Sequence, residues 1–162
     1  VKGRVEVVPT GRDFTVINDY AHTPDGLLNV TRAMNKVKTG RLVTLFGCGG
    51  DRDRLKRPIM GQIAAEQSDY VIVTSDNPRS EDPASIIDDI LVGMKGVDTP
   101  YTVIEDRRQA IAYALEHAQS GDLILLAGKG HETYQILGTG TVHLDEREVV
   151  ADTLARMSEG RQ

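Results

Sequence analysis

The sequence predicts an α/β fold, a mainly parallel sheet of about six strands with helices on both faces. Three observations predict it. Short runs such as Leu42–Phe46, Tyr70–Thr74 and Leu123–Ala127 are apolar at nearly every position, as strands buried on both faces must be. Stretches with apolar residues at helical spacing separate those runs. Polar, glycine-rich segments then follow the strands, and a parallel arrangement brings all of them to one edge. The fold these features imply is Rossmann-like in layout, and its chemistry belongs at the carboxyl ends of the strands.

Each element can be read in turn. Val5–Val8 is a short strand and Phe14–Asn18 the first full one. Pro24–Val37 carries Leu27, Leu28, Val30, Met34 and Val37 on a helical stripe, with Thr23 as N-cap and proline at the first helical position. Leu42–Phe46 lies between glycines as a buried strand, and Pro58–Gln67 follows as a helix. Tyr70–Thr74 is a strand, and Pro83–Val92 is a helix with Ile86, Ile87, Ile90 and Leu91 on one face. Tyr101–Ile104 (strand), Arg107–Ala118 (helix) and Leu123–Ala127 (strand) continue the alternation. Gly138–Thr141 reads as a turn between two short strands, and Asp145–Met157 as a final helix.

The chain has 162 residues, the size of one domain. It has no Trp and two Phe, so the core must be aliphatic. A net charge of −5 argues against nucleic-acid or membrane-surface binding, which needs a basic patch. Local clusters decide anion binding, and Arg52, Lys56 and Arg57 form one. A lone cysteine, Cys48, excludes an internal disulfide. No apolar run reaches membrane-spanning length, and the first residues lack a signal-peptide core. The chain also lacks an initiator Met, so it reads as a piece of a longer protein.

Four segments after strands concentrate the chemistry: Asp19-Tyr20-Ala21-His22-Thr23-Pro24, Gly47-Cys48-Gly49-Gly50-Asp51-Arg52-Asp53, Ser75-Asp76-Asn77-Pro78-Arg79, and Gly128-Lys129-Gly130-His131-Glu132-Thr133. Glycines 47, 49 and 50 would permit positive φ and close approach to an anionic ligand, or simply make a turn. Neither glycine cluster fits the dinucleotide or P-loop pattern. Arg79, aimed by Pro78 and beside Asn77, can grip a carboxylate in bidentate fashion, or sit solvated after a type I turn. His22 is open to three readings: a general base, a nucleotide contact or a helix cap. Asp51 and Asp53 can cap the helix beginning near Lys56. Lys129 can bond backbone carbonyls, and His131 can be buried at the core edge. No histidine or cysteine pair has metal-ligand spacing, and Ser75 and Cys48 lack a nucleophile-elbow context.

The four segments in this order, with Lys56-Arg57-Pro58 after the second, closely resemble the C-terminal domain of the Mur ligases, over essentially the whole chain. Asp76-Asn77-Pro78-Arg79 resembles the form of the motif found in members that add meso-diaminopimelate. The resemblance implies an ATP-dependent ligase of peptidoglycan biosynthesis that joins meso-diaminopimelate to UDP-MurNAc-L-Ala-D-Glu through an acyl phosphate. It implies that residues 1–162 are the lid that binds the incoming amino acid. The N-terminal and central domains would lie outside this chain. Arg52, Asp76, Asn77, Pro78, Arg79, Gly128 and Glu132 match positions for diaminopimelate. Arg4, Asp19, Tyr20 and His22 match positions in ATP-binding segments. ATP and Mg2+ are implied as cofactors, mainly through the central domain, and no catalytic residue or metal ligand is implied in this one. The location implied is cytoplasmic, with the chain's own central domain as partner.

Two alternatives stay in view. A lysine-adding Mur ligase would depart from the D-N-P-R sequence. A free-standing nucleotide-binding regulatory module would share the fold and glycine loops but not the ordered motifs. A dinucleotide-binding dehydrogenase would need a G-x-G-x-x-G turn after the first strand, which is missing.

Overall fold

The computed structural model describes residues 5–160. In chain order the elements are β1 (Glu6–Val8), β2 (Thr15–Asp19), α1 (Pro24–Val37), β3 (Leu42–Phe46), α2 (Lys56–Gln67), β4 (Tyr70–Val73) and α3 (Pro83–Met94). They continue with β5 (Tyr101–Val103), α4 (Arg107–Glu116), β6 (Leu123–Ala127), β7 (Tyr134–Leu137), β8 (Gly140–His143) and α5 (Glu146–Glu159). Every element read from the sequence is present, with ends moved by at most two residues. The expected mainly parallel sheet is there, in the order β1-β2-β6-β3-β4-β5, with β1 antiparallel on its edge. The β7–β8 hairpin stands apart as a second, two-stranded sheet.

The apolar strands are central because both their faces are covered. Ile17, Phe46, Val71, Val73 and Leu125 face α1, α2 and α3, where Leu27, Met34, Met60, Ala64, Ile87 and Ile90 meet them. Val16, Val43, Leu45, Ile72, Ile124 and Leu126 face α4 and α5, against Ala110, Ile111, Leu115, Val149 and Val150. Each of these buried branched side chains contributes roughly 1.5–3 kcal/mol, so the sheet is the stable floor of the molecule.

Four of the five helices start on a side-chain cap. Thr23, Asp82, Asp106 and Asp145 accept from the backbone N–H groups of Gly26, Ala84, Arg108 and Arg147. The exception is α2, and it corrects a sequence expectation. Leu55 occupies its cap position and no side chain caps it. Asp53 instead accepts from Leu55 N at 2.9 Å, in the turn before the helix. The Asp51 carboxylate turns across to Ser80 Oγ at 2.7 Å.

The strand register aligns the carboxyl ends. Asp19 pairs with Ala127 across β2 and β6, and Phe46 with Val73 across β3 and β4. The loops after β2, β3, β4 and β6 therefore leave from one edge. Beneath that edge lies Arg107, at the start of α4 and fully buried. Its Nε donates to Glu146 of α5 at 2.6 Å. Its Nη1 and Nη2 donate to the carbonyls of Ser75 and Ala127, each at 2.9 Å. Glu146 Oε1 also accepts from Asn18 Nδ2 at 2.8 Å, so β2 joins the same network.

Removing one member of such a pair strands a buried charge, which costs about 3–5 kcal/mol. Arg107→Leu should therefore lower the urea unfolding free energy by about that amount. A loss below about 1 kcal/mol, the range of a surface pair, would show that the network is not what holds the edge.

Candidate amino-acid and nucleotide site

The loop after β3 and the loop after β4 lie with backbone against backbone. Gly50 N donates to Asn77 O at 2.8 Å, and a Cβ on Gly50 would stand 1.8 Å from Pro78 O. A Cβ on Gly47 would stand 2.3 Å from Thr74 O. This corrects the expectation for glycines 47, 49 and 50. None of them has positive φ, and the close approach of 47 and 50 is to the protein's own chain. The left-handed residues here are Asp51 (φ 55°) and Arg79 (φ 53°), where a side chain is strained by about 1 kcal/mol or more.

That strain has a visible result. Arg79 N donates to Ile136 O in β7 at 3.0 Å, while its Nη1 donates to Gly50 O at 2.9 Å. The side chain therefore crosses the β3 loop and is not left free in solvent after a turn. Arg52 is exposed, and Nη1 donates to the adjacent Asp51 carbonyl at 2.9 Å. Both arginines flank Gly49: its hypothetical Cβ would be 2.8 Å from Arg79 Nη1 and 3.7 Å from Arg52 Cγ.

The basic cluster read from Arg52, Lys56 and Arg57 does not persist as a unit. Arg57 is fully buried and bound to Glu81 at 2.7 Å, Asp89 at 3.0 Å and Gly49 O at 3.0 Å. Lys56 donates to His22 O at 3.2 Å. Of the three, only Arg52 presents a guanidinium to solvent. Arg57 holds the Glu81 carboxyl well below its ordinary value, at about 2.

Asp76, Asn77 and Pro78 are buried, and Asp76 and Asn77 converge with Glu132 on Lys129. The Lys129 ammonium is fully buried. It donates to Asn77 Oδ1 at 2.8 Å and to Tyr134 O at 2.9 Å. It also stands 3.3 Å from Asp76 Oδ1 and 3.4 Å from Glu132 Oε1. The expectation that Lys129 bonds backbone carbonyls is thus met by one bond, with three side chains added. Asp76 Oδ1 has no hydrogen bond of good geometry. Gly128 (φ 120°) leaves β6 with its α-carbon facing Asp76, a turn that suits glycine.

The residues expected on the nucleotide side lie next door. Asp19, Tyr20 and His22 line a cleft of about 460 Å³ with Gly26, Asn29 and Val30 of α1. Asp19 Oδ2 accepts from Ala21 N at 2.8 Å, and His22 Nδ1 meets Tyr20 O at 2.8 Å. Tyr20 and His22 rings pack edge to face at 4.7 Å. Burial, the charge of Glu132 and a hydrogen bond to it raise the Tyr20 phenol above its ordinary pKa. Tyr20 thus lies within electrostatic reach of Glu132 and Asp76, a link the sequence motifs did not reveal. Arg4 lies outside the described residues. His131 is exposed and meets Arg147 Nη1 at 3.0 Å, so the buried reading of it is wrong. Among the described residues, no three His, Cys, Asp or Glu side chains could hold a metal ion together. No helix among them is long and apolar enough to cross a membrane.

Comparison with known proteins accords with this geometry. Residues 3–130 match the family model described as the Mur ligase, glutamate ligase domain. The chain belongs to the Mur ligase family. A UDP-N-acetylmuramoyl-L-alanyl-D-glutamate–2,6-diaminopimelate ligase of Caldanaerobacter subterraneus is 57% identical over 155 residues, 96% of this chain and 32% of that protein. A ligase of the same name from Syntrophomonas wolfei is 54% identical, over 95% of this chain and 32% of that protein. A solved structure of a 2,6-diaminopimelate ligase superposes with a TM-score of 0.91 at 40% identity, covering 98% of this chain and 32% of that one. The chain therefore spans about a third of the length of these Mur ligases.

Two outcomes are expected from the site's packing. Burial pushes the Cys48 thiol up to about 12, so an aromatic disulfide reagent at pH 8 should leave it unmodified until the chain unfolds. Rapid native-state labelling would contradict that. For Glu81, a carboxyl whose folded pKa is depressed, the stabilisation is complete above its ordinary 4.5 and lost as pH falls toward about 2. Urea midpoints should therefore fall less steeply between pH 5 and pH 2.5 in Glu81→Gln than in the parent. Parallel slopes would mean that the Arg57–Glu81 pair does not set acid sensitivity.

Proposed function

We propose that these 162 residues are the amino-acid-binding domain of an ATP-dependent ligase that adds meso-diaminopimelate to UDP-MurNAc-L-Ala-D-Glu. The N-terminal and central domains of that ligase lie outside this chain. The observation that carries the reading is the division of charge around the carboxyl edge. Arg52 and Arg79 flank Gly49, while Asp76 and Glu132 share the single ammonium of Lys129. Two cations on one side and underpaired carboxylates on the other suit a ligand end that carries both a carboxylate and an ammonium. The names borne by relatives above 50% identity support the same substrate.

In such a ligase the acceptor carboxylate takes the γ-phosphoryl group of ATP, giving an acyl phosphate and ADP. The amine of diaminopimelate attacks the acyl carbon, the amide bond forms, and phosphate departs with the C–O bond's electrons. The amine must lose a proton on the way. This domain's residues perform the holding steps. Arg52 and Arg79 take the distal carboxylate of the amino acid; Asp76 and Glu132 take its distal ammonium, with Asn77 ordered beside them, Pro78 fixing the loop and Gly128 leaving room. Asp19, Tyr20 and His22 face ATP, and the sequence match assigns Arg4 to it as well. Mg2+ would supply charge neutralisation on the phosphates, held by ligands of the central domain. Closure of the domain over the reacting groups orients the amine and keeps water from the acyl phosphate.

The same charges explain specificity. Lysine lacks the distal carboxylate, so its binding would cover the Arg79 guanidinium with the Gly50 carbonyl as acceptor but no counter-charge. Leaving a charge covered without its ionic partner costs about 2–5 kcal/mol.

The test is ATP-dependent phosphate release by the full-length ligase carrying this domain, with meso-diaminopimelate or L-lysine as amine. Diaminopimelate should be strongly preferred, and Arg79→Ala should lower its kcat/KM by about 30- to 1,000-fold. The 162-residue chain alone should release no phosphate. Equal use of lysine would defeat the specificity reading and leave the ligase reading. Release with neither amine would turn attention to a nucleotide-binding regulatory module.

A further inference from the structure

Lys129 has no role in the reading above, yet it is among the most completely buried charges in the molecule. An ammonium has three donors and no acceptor. Two of those donors are committed, to Asn77 Oδ1 at 2.8 Å and Tyr134 O at 2.9 Å. The third reaches Glu132 Oε1 at 3.4 Å, and Asp76 Oδ1 stands 3.3 Å from the ammonium as an ion pair. One end of this set belongs to the loop after β4 and the other to the segment joining β6 to β7. Asn77 extends the link, because its Oδ1 also accepts from Ile136 N at 3.0 Å. Ile136 O in turn accepts from Arg79 N at 3.0 Å, and Gln135 Nε2 donates to Asp76 O at 2.7 Å. Asp76, Asn77 and Glu132 therefore all meet Lys129 directly, and Arg79 is tied to the same hairpin.

We propose that Lys129 is a positioning residue for the amino-acid pocket, holding Asp76, Asn77 and Glu132 in register across two loops. This rests on the reading of that pocket as the diaminopimelate site. Lys129 stays with its four protein partners and does not touch substrate. Its ammonium orients the two carboxylates and leaves each of them an open lone pair for a second cation. Replacing it with a neutral residue leaves two neighbouring carboxylates to repel each other and swing apart, so the binding of the amino acid suffers before the chemistry does.

The experiment uses the full-length ligase with Lys129→Ala and Lys129→Met. The KM for diaminopimelate should rise about 10²-fold, while the KM for ATP stays within about twofold. Propylammonium replaces the atoms removed in Lys129→Ala and should restore the KM, whereas neutral 1-propanol, of the same size, should not. Unchanged KM, a fall in kcat alone, or equal rescue by the alcohol would overturn the proposal. A second measurement separates this claim from the substrate reading. Amide hydrogen exchange in the 162-residue chain should accelerate in Lys129→Met at Arg79 and Ile136, with β3 and β6 unaffected. If the parent ligase ignores diaminopimelate yet exchange changes in that local pattern, the substrate reading fails and Lys129 still positions the loops. Exchange that is unchanged, or accelerated throughout, would sink the positioning role itself.

Discussion

Arg107 places a full positive charge under the sheet's carboxyl edge, out of reach of water. Such a charge is tolerable only when nearly every donor finds an acceptor. Here the acceptors are Glu146, Ser75 O and Ala127 O, drawn from α5, the end of β4 and the end of β6. Ser75 immediately precedes Asp76, and Ala127 immediately precedes Gly128. The guanidinium thus fixes the last backbone atoms before the two loops that supply the acidic half of the candidate pocket. Its planar fork is suited to this, because it imposes direction as well as charge. A lysine in its place could neutralise Glu146, but its donors all sit on one nitrogen and lack the fixed spread of the guanidinium.

From that anchor the site is built by close backbone approach. Gly47 and Gly50 let the β3 loop lie directly on the β4 loop, which side chains there would prevent. Two hydrogen bonds then lock the pair, Gly50 N to Asn77 O and Arg79 Nη1 to Gly50 O. Cations in this region divide by environment. Arg57, Arg107 and Lys129 are fully buried, and each bonds acceptors from more than one segment. Arg52 is exposed with its guanidinium bonded only to a neighbouring carbonyl. A group already saturated with protein acceptors has little to offer a ligand, so burial sorts the structural cations from the recognising ones.

The same sorting explains what the sequence could and could not tell. Strands such as Leu42–Phe46 and Leu123–Ala127 were legible because two-sided burial demands unbroken apolar runs. Helix α1 was legible to the residue because Thr23-Pro24 states its start chemically. The motif loops were legible as a set because four strands end on one edge. The sequence could not show that Arg57 leaves the basic cluster, because its partners Glu81 and Asp89 lie 24 and 32 residues away. Lys129 was visible as a charge in a glycine turn, but its acceptor Asn77 is 52 residues distant. Glycines 47 and 50 were rightly seen as sites of close approach, but local sequence cannot say whether the approaching atoms belong to ligand or to chain. His131 was misjudged for a related reason: a histidine beside a strand end gives no sign of which way its loop will turn.

Tyr20 lies between the cleft beside α1 and the cluster around Lys129. It belongs to the loop after β2, packs on His22, and feels the charge of Glu132 in the segment after β6. On the proposed reading, the residues facing ATP and those holding the incoming amine are therefore not independent modules on one scaffold. A shift that moves Tyr20 must alter the surroundings of Glu132, and Glu132 shares the Lys129 ammonium with Asp76. Whatever occupation of the cleft does to the pocket, occupation of the pocket then does to the cleft in equal measure, since coupling between two sites is reciprocal in free energy. The proposed reading then has a physical reason to put both sites on one domain: a single edge, held by Arg107, would deliver nucleotide contacts and amine together.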